Sequence, residues 1–245
     1  MHRLFISDLH LDPSRPDITR AFLRFIDEQA RSADELYILG DFFESWIGDD
    51  DSSELIETIR SALRSLSQPE SGAPTAVFFM HGNRDFLLSE AFCRSCGMTL
   101  LNDPSTIELN GVKTLLLHGD SLCIDDVEYM QFRKMLRSAA WQQDVLSKPL
   151  DERRALAQHL RMASKEANSN KAQDIMDVNS GEVLRVINEA SAALMIHGHT
   201  HRPARHLIKE STLPAERIVL GDWENSAIFL RSNKDNLSLE TWPVA

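Results

Sequence analysis

The chain has 245 residues, 42% of them hydrophobic, and a formal net charge of −11 at neutral pH. That length and apolar content suffice for one sizeable α/β core with room for an insertion. The acidity argues against an open nucleic-acid surface held by phosphate contacts, and no stretch approaches the roughly 20 apolar residues of a membrane span.

In chain order, residues 2–7 read as a strand at the very start, without the features of a secretory leader, so a cytoplasmic protein is expected. A loop through Pro13 and Pro16 leads to a helix over 18–31, with Asp17 as its cap and Ala21, Phe22, Phe25 and Ile26 on its apolar face. A buried strand, Leu36-Tyr37-Ile38-Leu39, then runs into Gly40-Asp41 and an apolar loop carrying Phe42, Phe43, Trp46 and Ile47. The acid run of residues 49–54 lacks the alternating oxygens and the glycine of a calcium loop, and reads as a solvated helix N-terminus. The helix after it carries Leu55, Ile56, Ile59, Leu63 and Leu66.

A third strand over 77–80 is followed by a helix over 86–96, a short strand over 98–101, and a hairpin turning at Asn110-Gly111. The lone Cys93-x-x-Cys96 lacks a second pair and reads as packing, and three cysteines are too few for a disulfide framework. Residues 122–179 read as wholly helical, and they carry nine basic and nine acidic residues, so the whole net charge falls on the rest of the chain. Leaving from the loop after His118, this stretch is expected to be a helical cap inserted in a core of residues 1–121 and 180–245. Strands return from Ala193, and those over 205–208, 217–220, 227–230 and 238–241 read as antiparallel. Two packed sheets with helices outside are expected.

One pattern recurs five times: a short apolar run ending in Asp, His or Asn. The runs lead into Asp8-Leu9-His10, Gly40-Asp41, His81-Gly82-Asn83-Arg84, His118-Gly119-Asp120 and His197-Gly198-His199-Thr200-His201. Such strands deliver side chains to one edge of a sheet. Asp8, His10, Asp41, Asn83, His118, His199 and His201 form a mixed oxygen and imidazole set, too large for one tetrahedral zinc. The set suits two first-row divalent ions sharing a carboxylate, an arrangement used for in-line phosphoryl displacement.

Asp8-x-His10, Gly40-Asp41, Gly82-Asn83, His118 and Gly198-His199-x-His201 resemble the motifs of the calcineurin-like metallophosphoesterase family. The resemblance implies a four-layer α-β-β-α sandwich with a helical cap insertion. It assigns Asp8, His10 and His201 to one metal, Asn83, His118 and His199 to the other, and Asp41 to both. Many family members carry a His after the Asn, as a proton donor to the leaving group, whereas this chain has Arg84. Arginine stays protonated and pairs bidentately with phosphate, which favours cleavage of a pyrophosphate over a monoester.

The longer motifs, including Gly40-Asp41-Phe42-Phe43-Glu44-x-Trp46-Ile47-Gly48-Asp49-Asp50 and His197-Gly198-His199-Thr200-His201-Arg202-Pro203, resemble the branch of that family acting on UDP-2,3-diacylglucosamine. That branch implies two Mn2+ ions and release of UMP and 2,3-diacylglucosamine 1-phosphate, in lipid A synthesis. It also implies peripheral attachment to the cytoplasmic face of the inner membrane, with no nucleic acid and no obligate protein partner. It names Asp41, Asn83, Arg84, His118 and His199 as catalytic. It places substrate contacts at Asn83, Arg84, Asp126, Ser164, Asn168, Lys171 and His199.

The cap is expected to supply an apolar groove for acyl chains. Arg153, Arg154, Arg161 and Lys165 are candidates for anionic headgroups or for ordinary solvated helix charges. Another nucleotide pyrophosphatase or phosphodiesterase fits the same metal set. A non-catalytic scaffold is expected to have lost ligands.

Overall fold

The computed structural model describes residues 1–169, 177–234 and 236–244, with the side chains of residues 165 and 167–169 outside the description. Strands β1 (Arg3–Ile6), β2 (Glu35–Leu39), β3 (Ala76–Met80) and β4 (Met98–Leu101) lie parallel in one sheet. Strands β5 (Ser105–Leu109), β6 (Val112–Leu116), β7 (Leu194–His197), β8 (Ala204–Ile208) and β9 (Ala215–Val219) form a second sheet. Strands β10 (Ser226–Asn233) and β11 (Asn236–Pro243) complete the first sheet on the β1 side, with β10 antiparallel to β1. Of the strands after Ala193, β8 pairs antiparallel with β9 and β10 with β11, as expected, while β7 lies parallel to β6 on one edge and to β9 on the other. A helical connection separates β6 from β7, as parallel neighbours require.

Side-chain alternation sorts the core into layers. Leu4, Ile6, Leu36 and Ile38 face the helices α1 (Pro16–Glu28), α2 (Glu54–Ser67) and α3 (Glu90–Ser95). Phe5, Tyr37 and Leu39 point the other way, meeting Leu116, Leu194 and Ile196 between the sheets. There Phe5, Tyr37 and Phe78 stack with ring centroids 4.8 and 4.7 Å apart. Leu115 and Met195 face outward onto Val183 and Ile187 of a last helix, Ser180–Ala190. The result is the four-layer α-β-β-α sandwich expected from the sequence.

Two helix boundaries differ from expectation. The first helix starts at Pro16, whose ring suits the first helical position; Asp17 lies in its first turn paired with Arg15 and caps nothing. The helix expected over 86–96 begins only at Glu90, because the Ser89 hydroxyl caps the amides of Ala91 and Phe92. Cys93, Cys96 and Cys123 are free and buried, and burial pushes their thiols up to about 12, 11 and 12, as packing residues.

Between β6 and β7 the chain forms α4 (Val127–Leu136), α5 (Ala139–Leu146) and α6 (Leu150–Ser169), before α7, the Ser180–Ala190 helix. Both ends of this stretch are clasped: the Asn179 amide donates to the Leu122 carbonyl at 2.9 Å, and its side chain donates to Asp125. The helices are tied to the core by arginines. Arg133 donates to Asp120 at 2.7 Å and Arg137 to the Gly82 carbonyl at 2.8 Å. Arg153 donates to the Ile47 carbonyl and pairs with Asp50, Arg154 pairs with Asp51, and Arg161 pairs with Glu44.

This changes the meaning of the acid run. Asp50 and Asp51 hold α6, Asp49 accepts from Trp46 and Ser89, and Ser53 caps α2. Arg153, Arg154 and Arg161 are accordingly paired with the protein's own acids. The Lys165 side chain lies outside the described residues.

Candidate metal centre

The seven expected ligands meet at the carboxyl ends of the parallel strands of both sheets. Asp8 follows β1, Asp41 follows β2, Asn83 follows β3, His118 follows β6, and His199 and His201 follow β7. Five of them, Asp8, His10, Asp41, His199 and His201, sit in left-handed backbone, at φ between 49° and 67°. Non-glycine residues adopt this region at a cost, and such strain gathers at functional sites. The glycines beside them permit close approach. A Cβ on Gly82 would lie 2.1 Å from Asp41 Oδ1, and one on Gly40 would lie 2.6 Å from His118 Nδ1.

Two groups of donors result. The ligand atoms of Asp8, His10 and His201 lie within 4.8 Å of one another, as do those of Asp8, Asp41 and His118. Asn83 Oδ1 is 3.0 Å from both His118 Nε2 and His199 Nδ1. Asp41 faces both sides: Oδ2 is 3.9 Å from His10 Nε2 and Oδ1 is 3.7 Å from His118 Nε2. Asp8 Oδ2 accepts from the Ser7 hydroxyl at 2.5 Å and from the His199 amide at 2.9 Å. Its Oδ1 is buried, with His201 Nε2 facing it at the long distance of 3.4 Å. A buried carboxylate oxygen so weakly satisfied by the protein, beside three imidazoles, is suited to a cation, so these residues fit a divalent pair.

The imidazoles are oriented by groups behind them. His118 Nδ1 donates to the Leu39 carbonyl at 2.9 Å, His10 Nδ1 faces Glu44 at 2.6 Å, and His201 Nδ1 faces Asp222 at 3.0 Å. Each contact leaves Nε2 for a ligand. Glu44 and Asp222 carry no role in the sequence reading. A signal for Asp222 was available: Val219-Leu220-Gly221-Asp222 repeats the strand, glycine, acid pattern of Ile38-Leu39-Gly40-Asp41. Glu44 gives no such signal, since it stands within an apolar loop. Asp85 is a third unforeseen residue. Buried, it accepts from the amides of Phe42 and Gly82 at 2.7 Å each and so fixes the Asp41 and Asn83 loops together.

The acids and imidazoles shift one another's protonation. Burial disfavours charged His118, yet Asp41 and Asp8 outweigh it and raise its pKa to about 9. Burial likewise opposes the His201 charge, but bonds to Asp222 and Asp8 raise it to about 10. Burial, with His118 beside it, lowers His199 to about 4 and keeps it neutral. Burial raises Asp41, whereas for Asp8 the burial cost is overcome by its bond to His201 and the nearby imidazoles, which lower it.

Arg84 joins the site twice. Its amide donates to Asp41 Oδ1 at 2.8 Å, and its side chain, with Nε buried and unpartnered, lines the cavities beside the donors. Asp126 and Ser164 line one cavity with Asn83, Arg84 and His199, and Asp126 also caps α4 by accepting from the Tyr129 amide at 3.0 Å. Lys171 and the Asn168 side chain lie outside the described residues. A second cavity, mainly apolar, runs beneath the inserted helices between Trp46, Phe86, Leu136, Trp141, Val145 and Leu160, and opens at Asn83 and Arg84.

Known proteins share these features. The pattern of the calcineurin-like phosphoesterases matches residues 1–203. The chain is 49% identical over 244 residues to a UDP-2,3-diacylglucosamine hydrolase of Cellvibrio japonicus, covering 100% of both chains. It is 51% identical over 244 residues to a protein of the same name from Pseudomonas paraeruginosa, again covering 100% of each. A third, from Marinobacter nauticus, is 48% identical over 246 residues, covering 100% of this chain and 99% of its own. With the family pattern spanning most of its length and the motif residues gathered in one cleft, the chain belongs to the calcineurin-like phosphoesterase family.

Proposed function

We propose that the chain hydrolyses the pyrophosphate of UDP-2,3-diacylglucosamine in lipid A biosynthesis, with water attacking the α-phosphorus to give UMP and 2,3-diacylglucosamine 1-phosphate. The observation that carries this reading is full-length identity of about half with hydrolases of that name. The apolar cavity opening at Asn83 and Arg84 adds to it, since acyl chains need such a space next to the reacting phosphates.

In this reading Asp8, His10 and His201 would hold one ion and Asn83, His118 and His199 the other, with Asp41 placed to donate to both. When bound, two divalent ions, manganese here, supply an activated water and positive charge to the oxygens of the in-line displacement. Arg84 offers its guanidinium donors to the departing lipid phosphate, which leaves as an anion and needs no general acid. Asp126 and Ser164 offer polar contacts to the substrate, the role that the resemblance also gives to Asn168 and Lys171. The acyl chains lie beneath α4, α5 and α6. Peripheral attachment to the inner membrane belongs to this reading because the acyl chains of the substrate reside in a bilayer. No described helix is long and apolar enough to cross a membrane.

Turnover of the acylated substrate in 18O-labelled water tests the assignment. Label in UMP is the expected result; label in the lipid phosphate overturns attack at the α-phosphorus. Equal turnover of a deacylated analogue overturns the role of the apolar cavity.

A further inference from the structure

Three cavities meet at Arg84. One is the apolar space beneath the inserted helices, and one carries Asp126 and Ser164. The third has no role in the reading above. It lies beside Asp8, His10 and His201, and its outer wall comes from Leu9, Asp12, Ser14, Arg15, Ile18 and Glu224.

The geometry points to this third cavity as the binding site for the nucleoside half of the substrate, a pyrimidine riboside 5′-phosphate. The inference rests on the proposed reaction and assigns residues to the half of the substrate that it leaves unplaced. The scissile anhydride joins a lipid sugar phosphate to a nucleoside phosphate, so the two halves must diverge from the reacting phosphorus. The acylated half is drawn to the apolar cavity and its polar neighbour. The cavity on the Asp8, His10 and His201 side then remains for the nucleoside.

Its lining matches that ligand. Leu9 and Ile18 are buried and supply an apolar floor for a flat base. Asp12 and Glu224 are acceptors for ribose hydroxyls, the chemistry by which carboxylates hold ribose in dinucleotide sites. Arg15 donates, as the carbonyls of uracil require.

The wall is also held in place before any ligand arrives. Asp12 Oδ1 accepts from the Ser14 amide at 2.9 Å and from its hydroxyl at 2.5 Å. Arg15 is bonded to both Asp17 oxygens and, at 2.8 Å, to the Glu224 carbonyl. These bonds join the loop after β1 to the loop after β9, so the two sides of the cavity keep their spacing. A preformed site loses less freedom on binding than one assembled around its ligand.

The test is calorimetric titration of the manganese-loaded full-length protein with UMP, with 2′,3′-dideoxy-UMP and with inorganic phosphate. UMP is expected to bind at least about tenfold more tightly than either, the effect of a hydrogen bond to a charged group. Asp12→Asn, which keeps an oxygen for Ser14, is expected to weaken UMP by a similar factor while leaving phosphate unchanged. In that variant the advantage of UMP over its dideoxy analogue shrinks, as for groups in direct contact. Equal binding of UMP and phosphate to the parent protein overturns the site. So does loss of UMP affinity in Ser164→Ala but not in Asp12→Asn. Cleavage of the acylated substrate is read separately. If UMP binds as stated but the acylated substrate is inert, the nucleoside site stands and the proposed lipid substrate falls.

Discussion

Asp41 shows how one side chain serves several constraints. Its backbone is left-handed at φ 49°, its Oδ1 accepts the Arg84 amide, and its two oxygens face donors on opposite sides. As the proposed bridge, it is the residue whose loss affects both ions. Asp41→Ala is expected to reduce turnover by orders of magnitude and to lower bound metal from two ions per chain; unchanged turnover and stoichiometry would refute the bridge. The histidines give a pH prediction. His118 and His201 are raised to about 9 and about 10 in the metal-free chain, above the ordinary 6.5. Their protonated forms therefore stabilise the metal-free fold below pH 6.5, and that contribution is lost as pH rises through 9 and 10. Cations compete with those protons, so metal loading at pH 7 is expected to release protons, and apparent affinity to climb toward pH 9. Calorimetry in two buffers of different ionisation heat checks this; a heat independent of buffer would contradict it. At this scale the sequence was highly legible. Each of the seven candidate donors stands in the short polar stretch that closes an apolar run, and that pattern is local. Glu44 and Asp85 were not legible, because their significance lies in amides and imidazoles brought to them by other strands.

Helix α6 reaches the site through one ion-paired chain. Arg161 pairs with Glu44, and Glu44 holds His10 Nδ1 at 2.6 Å. The position of the helix is thereby connected to the orientation of a candidate ligand. Glu44→Gln keeps the shape but removes the charge behind the imidazole. It is expected to weaken metal affinity about 10–100-fold, as loss of an outer carboxylate partner does. Turnover should fall at limiting manganese and recover at saturating manganese; an unaltered manganese dependence would exclude the connection. The acid run of residues 49–54 was read in part: Ser53 and Glu54 do open α2, but Asp50 and Asp51 are paired and not merely solvated. Consecutive aspartates look solvated when their partners, Arg153 and Arg154, lie on a helix far along the chain. Helix ends were misjudged where a proline or serine decided them, at Pro16 and Ser89, more strongly than apolar periodicity did.

On the scale of the whole molecule, the sandwich follows from alternation within a few strands, with Leu4 and Ile6 facing helices and Phe5 facing the other sheet. That alternation is readable in one dimension. The parallel pairing of β7 with β6 and β9 is not, since pairing direction depends on where the intervening helices carry the chain. The inserted helices leave and rejoin the core at nearly one point, where Asn179 bonds to Leu122 and Asp125. Replacing residues 123–178 by a short turn is expected to preserve two-metal binding and hydrolysis of a small soluble phosphodiester while abolishing turnover of the acylated substrate. A truncated chain that unfolds in one cooperative thermal transition but binds no metal would contradict this. Because Leu122 and Asn179 are bonded to each other, the core is predicted to tolerate exchange of everything between them. Two crossovers in the gene, one on each side of that clasp, would swap the helices and leave every candidate metal ligand in place.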